Sequence, residues 1–214
     1  MSYINKRKEA KLIFSNVLIY YVIAFAGLSV ILFFIAQPVI LLMTSPDFHL
    51  GWTIVGIVAV SYALKGCYLI LLPGIYFENK LYLQSIIEWI AAIINIVLNL
   101  ILIPMYGFFG SAFATLVSYL SLPLLAWFFS RRYLYIEYDW LRLSKSLILT
   151  AITCVSIFYI SLEFAFELSS IVFNGALTIL FFMLIYRFLL NHSEREWIRF
   201  KLNFKKIFIS NEKK

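Results

Sequence analysis

Apolar residues run along this chain almost without interruption, and sparse polar punctuation divides them into six segments. The first uncharged stretch, Leu12 to Pro46, exceeds the roughly 20 residues that cross a bilayer. Gln37-Pro38 is its natural break, which predicts a span over about 12–34 and a kinked or interfacial piece ending at Met43. A second span, about 51–72, stops at the breaker pair Pro73-Gly74. A third covers about 81–103 and a fourth about 107–129, with Pro123 a kink in the latter. The polar stretch 131–146, rich in Tyr and Trp, is long enough to lie along an interface. A short fifth span, about 147–162, carries Thr, Ser and β-branched residues, and meets a sixth, about 168–188, across a turn holding Glu163 and Glu167. The pattern predicts an all-α integral membrane protein, a six-helix transmembrane bundle over 12–190 between an N-terminal segment (1–11) and a basic tail (191–214).

Composition supports that class. A mean hydropathy of +0.92 and 63% hydrophobic residues exceed what a soluble core of 214 residues needs. The net charge of +7 raises the question of nucleic acid, but the basic residues border the spans on one side, so no nucleic-acid partner is expected. Of the 18 Lys and Arg, only Lys65 falls deep inside a span; the rest lie in 1–11, 73–80, 131–146 or from Arg187, at the end of the sixth span, onward. The intervening turns hold only the acids Asp47, Glu163 and Glu167. By the positive-inside rule this alternation puts both termini on the cytoplasmic side of a cell (inner or plasma) membrane, as six spans require. The first apolar run is too long for a signal-peptide core and lacks a cleavage pattern, so it reads as a retained span. Cys67 and Cys154 sit in apolar runs and behave as small hydrophobes.

Chemistry-bearing residues are few. There is no phosphate-binding G-x-x-x-x-G-K-[ST] loop, no metal-ligand spacing and no nucleophile elbow or carboxylate pair, so neither enzyme nor cofactor is expected. Asp47 with His49 is the nearest approach to a catalytic pair. Four polar residues lie deep in apolar segments instead. Lys65 comes eight residues before Pro73 and Glu88 seven after Leu81, placing both at ~10–12 Å from the same end of consecutive helices. A charge in hydrocarbon costs at least ~2.5 kcal/mol, so the two either pair or form walls of one hydrated cavity, while Lys65 could also snorkel outward. Asn95 and Asn99 continue nearly the same face as Glu88 and either glue helices together or line a path for a polar headgroup. After them Pro104 stops the helical pattern, Gly107 and Gly110 permit a tight re-entry, and Gly110, Ala114 and Ser118, with Thr115 beside them, form a small-residue stripe for close packing. In the tail, Trp197, Phe200, Phe204 and Phe208 alternate with basic residues, fitting either an amphipathic helix on an anionic leaflet or a solvated tail.

The stretch from Asn95 to Thr115, N-I-V-L-N-L-I-L-I-P-M-Y-G-F-F-G-S-A-F-A-T, resembles the N-x-x-x-N-x-x-L-I-P-x-x-G-x-x-G-A-A-x-A-T block of the polysaccharide-transporter branch of the multidrug/oligosaccharidyl-lipid/polysaccharide exporter superfamily, the lipid-linked saccharide (O-antigen type) flippases. Ser111 is the departure in its small-residue part, a sterically mild one. Thr44-Ser45-Pro46-Asp47 and Arg131-Arg132-Tyr133 also look like that family, and the similarity covers roughly residues 10–190. Full-length members carry the block twice, once per half, so the resemblance implies that this chain is the C-terminal half of a two-bundle carrier. It further implies rocking of two bundles about a central cavity that exposes a lipid-linked oligosaccharide or polysaccharide precursor to each side in turn, in cell-surface lipopolysaccharide or exopolysaccharide biosynthesis. Lys65, Glu88, Asn95 and Asn99 then become candidate contacts for an anionic, lipid-linked saccharide. A lone half needs a partner: a separate N-terminal half-bundle or a second copy of itself. The alternatives are an inactive fragment, or a non-transporting membrane scaffold for glycan-assembly enzymes.

Overall fold

The computed structural model describes residues 3–163, 168–192 and 194–196. It is all-α, with six helices long and apolar enough to cross a membrane. Helix α1 spans Tyr3–Met43, and a short 3-10 turn, Pro46–Gly51, leads into α2, Trp52–Ile70. The short α3, Pro73–Phe77, precedes α4, Leu81–Tyr106. Helices α5, Phe108–Ser130, α6, Trp140–Glu163, and α7, Leu168–Leu184, complete the set, and α7 ends in a π-helical turn, Ile185–Leu189.

The helices pack in a row that does not follow chain order. α4 lies on α5, α5 on α2, α2 on α1, α1 on α6 and α6 on α7, which also touches α1. One apolar cluster joins Leu18 and Val22 of α1, Tyr68 of α2, Ile75 of α3, Ile87 and Ala91 of α4 and Leu122 and Ala126 of α5. A second joins Val30 and Phe33 of α1 to Ile157 of α6 and Phe181 of α7. Helix α4 stands at one end of the row and buries only the narrow stripe Leu83, Ile87 and Ala91, at successive four-residue steps. The rest of its apolar surface, including Trp89, Ile93 and Leu100, is exposed.

Several boundaries differ from the sequence expectation. No break occurs at Gln37-Pro38: α1 continues through both to Met43. A continuous helix keeps nearly all backbone groups paired where no water is available, and Pro38 removes only one donor. Gln37 instead donates its Nε2 amide to the Ser161 carbonyl at 3.2 Å, tying α1 to α6. Residues expected as a flanking N-terminal segment belong to α1 from Tyr3 onward. The fifth span is longer than 147–162 because α6 begins at Trp140, where the Asp139 carboxylate accepts the Arg142 N–H at 3.0 Å as an N-cap. The expected interfacial stretch shrinks accordingly to 131–139. There Arg131 stacks on Trp127, 4.2 Å to the ring centre, and Arg132 on Phe128, 4.5 Å. Glu167 and the aromatic tail positions Trp197, Phe200, Phe204 and Phe208 lie outside the described residues.

Pro104 does not stop α4, which runs two residues further. It ends at Gly107, whose φ of +57° and ψ of −133° lie where side chains are excluded, so the chain reverses on a single residue. The Gly107 N–H closes α4 on the Ile103 carbonyl at 2.8 Å, and its own carbonyl accepts the Ser111 N–H at 3.3 Å to open α5. One turn on, a Cβ at Gly110 would lie 2.2 Å from the Leu102 carbonyl oxygen. The two backbones therefore touch at Gly110, and Ala112, Ala114 and Ser118 are buried beyond it.

Candidate functional site

The polar residues of α2, α4 and α5 form two linked groups. The first tightens the α4–α5 contact. Asn99 donates Nδ2 to Asn95 Oδ1 at 3.0 Å, and Asn95 donates Nδ2 to Ser118 Oγ at 3.2 Å. Ser118 donates its hydroxyl to the Thr115 carbonyl at 3.0 Å, and Thr115 donates to the Ser111 carbonyl at 3.0 Å. Asn95 is thus half-buried and turned toward α5, and Asn99, also half-buried, is tied to Asn95 on the same helix. Asn99 Oδ1 is buried without a hydrogen-bond partner.

The second group joins the same three helices. Tyr68 on α2, buried to 2% exposure, donates its hydroxyl to Glu88 Oε1 on α4 at 3.0 Å. Gln84, one turn before Glu88, donates Nε2 to the same oxygen at 3.2 Å, and Tyr76 donates to Gln84 Oε1 at 3.0 Å. Tyr68 bridges α2 and α4 over Leu122 and Ala126 of α5, with which it shares a cluster. Three residues before Tyr68, and so one turn deeper on nearly the same face of α2, Lys65 holds its Nζ 5.4 Å from the centre of the Tyr119 ring of α5. Tyr62 meets that ring edge-on at 5.8 Å.

Lys65 and Glu88 do not form an ion pair: Lys65 rests against the Tyr119 ring, and Glu88 is bonded by Tyr68 and Gln84. Lys65 and Glu88 remain exposed within membrane-length helices. The arrangement offers an ammonium with three donors against the Tyr119 ring of α5 and, on α4, a carboxylate whose Oε1 accepts both the Tyr68 hydroxyl and the Gln84 amide. Such a patch can bind a polar or anionic headgroup, or meet another polypeptide. Among the described residues no three His, Cys, Asp or Glu side chains lie close enough to hold a metal ion.

Sequence inspection missed the partners that complete this face: Tyr68, Gln84 and Tyr119. Two were accessible from spacing, since Tyr68 lies three residues after Lys65 and Gln84 four before Glu88. A further buried polar cluster was also missed. Asn174 of α7 donates Nδ2 to Ser161 Oγ of α6 at 2.9 Å and to Ser170 Oγ at 3.4 Å, beside the contact from Gln37. These amides join α1, α6 and α7, as Asn95 joins α4 and α5. Comparison with protein-family models, with curated proteins and with solved structures yields no match.

Proposed function

We propose that this chain is one six-helix half of a membrane carrier that moves a lipid-linked anionic saccharide, a precursor of cell-surface polysaccharide, across the cytoplasmic membrane with both termini on the cytoplasmic side. It acts by binding and rocking, without covalent chemistry. The observation that carries the reading is the exposure of Lys65 and Glu88 on one face of α2, α5 and α4. Hydrocarbon against that face would cost at least ~2.5 kcal/mol for each charge. Water and a second bundle remove that penalty, and two such bundles enclose the cavity that the cargo needs. The reading also rests on the resemblance of the Asn95–Thr115 block, whose turn glycines and small residues close α4 onto α5, to that of polysaccharide flippases. The second bundle is a separate N-terminal half or a second copy of this chain.

The test is saccharide export in cells that depend on this chain together with its second bundle. Lys65→Ala and Glu88→Gln each abolish export, while both variants insert and accumulate as the parent chain does. Undiminished export from both variants overturns the reading.

A further inference from the structure

Helix α5 ends in an aromatic collar that carries two arginines. Arg131 lies back over Trp127, 4.2 Å to the ring centre, and reaches Phe128 at 5.4 Å. Arg132 lies over Phe128 at 4.5 Å and reaches Phe129 at 5.8 Å. In each case the nearer ring is four residues earlier, so both side chains fold back along α5 toward the span that ends at Ser130. Trp127 in turn meets Trp140 edge-on at 5.4 Å, and Trp140 meets Tyr138 at 5.7 Å. Trp and Tyr collect at the depth where lipid headgroups begin. The two exposed guanidinium groups are therefore held at the height of lipid phosphates.

Stacking leaves the polar edge of each group unused. A ring takes up one face of a guanidinium, while its N–H donors point outward in the plane as a fork matched to two phosphate oxygens. The acids of the same connection are placed otherwise. The Asp139 carboxylate caps α6 through the Arg142 N–H, and Glu137 lines a hollow with Lys11 and Tyr135. Two adjacent cations also select the head: a zwitterionic lipid brings its own ammonium beside them, whereas a phosphodiester of uncharged glycerol brings only the anion.

We propose that Arg131 and Arg132, braced on Trp127 and Phe128, hold the phosphate of an anionic diacyl phospholipid of the phosphatidylglycerol type. This lipid is a resident of the bilayer and not a cargo. The site shares no residue with Lys65, Glu88 or their partners, so it holds or fails independently of the carrier reading.

The experiment is native mass spectrometry of the full chain released from nanodiscs of equal parts phosphatidylglycerol and phosphatidylcholine with the same acyl chains. The parent chain is expected to retain one phosphatidylglycerol, favoured about tenfold over phosphatidylcholine, the effect of one charge-assisted contact. Changing both Arg131→Lys and Arg132→Lys keeps the net charge but removes the flat forks, and is expected to cut the preference to about twofold. Phe128→Leu keeps both guanidinium groups and removes a ring they share, lowering the preference about threefold. Lys145→Gln, which removes an exposed charge near the start of α6 at the same end of the bundle, leaves it intact. Circular dichroism is expected to show parental helicity in all of these variants, since the substituted arginines are exposed at a helix end. A lysine pair that keeps the parental preference, or a Lys145→Gln chain that loses it, reduces the contact to diffuse attraction and overturns the site. Parental preference in Phe128→Leu overturns the part given to the rings. A polyprenyl phosphate retained in place of phosphatidylglycerol, when the two are offered equally, overturns the phospholipid assignment.

Discussion

Tyr68 donates its hydroxyl to the Glu88 carboxylate at 3.0 Å, joining α2 to α4 across the helix that packs between them. The bond fixes where a charge sits. Glu88 is held at the rim by Tyr68 and Gln84, and the ammonium of Lys65 is left to the neighbouring aromatic ring. The charges stay separate because each has found a different neutral partner, so the face is polar without being neutralised.

The Tyr68–Glu88 bond makes a measurable, modest contribution. Hydrogen bonds between membrane helices average about 0.6 kcal/mol in double-mutant cycles and reach about 1.7. Tyr68→Phe and Glu88→Gln are expected to show a coupling energy in that range when unfolding is followed in mixed micelles. A coupling of zero would mean that the hydroxyl and carboxylate do not share a proton in the folded protein.

The two turn glycines fail for different reasons when changed. A Cβ at Gly107 meets nothing within 4 Å, so Gly107→Ala is penalised by backbone conformation alone, about 1–3 kcal/mol. A Cβ at Gly110 meets the Leu102 carbonyl at 2.2 Å, so Gly110→Ala must push α4 and α5 apart and break their fit. Larger residues separate the two positions. Gly107→Asn is no milder than Gly107→Ala, because a ψ of −133° lies outside the left-handed helical region that Asn tolerates, while Gly110→Asn is worse than Gly110→Ala. Thermal unfolding of the four variants checks this order.

Much of the bundle was legible from hydropathy, because six apolar runs separated by charge leave a chain few alternatives in a bilayer. The turn at Gly107 and the close approach at Gly110 could likewise be anticipated from small residues at four-residue spacing. The helix ends were less legible. Pro38 and Pro104 look like stops in a sequence, yet each costs one backbone donor, and the helices continue through both. Asp139 was read as loop although its carboxylate caps α6. The site was half legible. Lys65, Glu88, Asn95 and Asn99 stand out because polar residues are rare in such runs, but periodicity alone does not reveal that Asn95 turns to Ser118, with Asn99 bonded to it, while the charges stay on the surface. That division depends on the packing order of α4, α5 and α2, a nonlocal property.

The end of the described chain is tied down by a charge cluster whose pH response has a definite sign. Glu194 accepts the Tyr20 hydroxyl on Oε1 at 2.9 Å, and on Oε2 it accepts the Asn191 N–H at 2.7 Å and an Nη2 hydrogen of Arg142. The Asn191 contact has the form of a capping box, and Arg142 also donates Nε to the Leu189 carbonyl at the end of the π-helical turn. Burial pushes the Glu194 carboxyl up, but the hydrogen bonds from Arg142, Asn191 and Tyr20, with the Arg142 charge, outweigh it and leave the group below its ordinary value of 4.5. A carboxyl whose folded value is depressed contributes stability above its unfolded value and loses it as pH falls through the folded one. Amide exchange at Asn191, corrected for the intrinsic pH dependence, is therefore expected to be slow and constant at neutral pH and to accelerate below pH 4.5. Glu194→Gln should show the faster exchange already at pH 7, by about tenfold for one lost charge-assisted bond, with no acceleration on acidification. Arg142→Ala should raise the pH at which the parent chain loses protection, because the largest of the influences holding the carboxyl down is gone. Exchange that is indifferent to both substitutions would show that the last turn is held by its backbone alone.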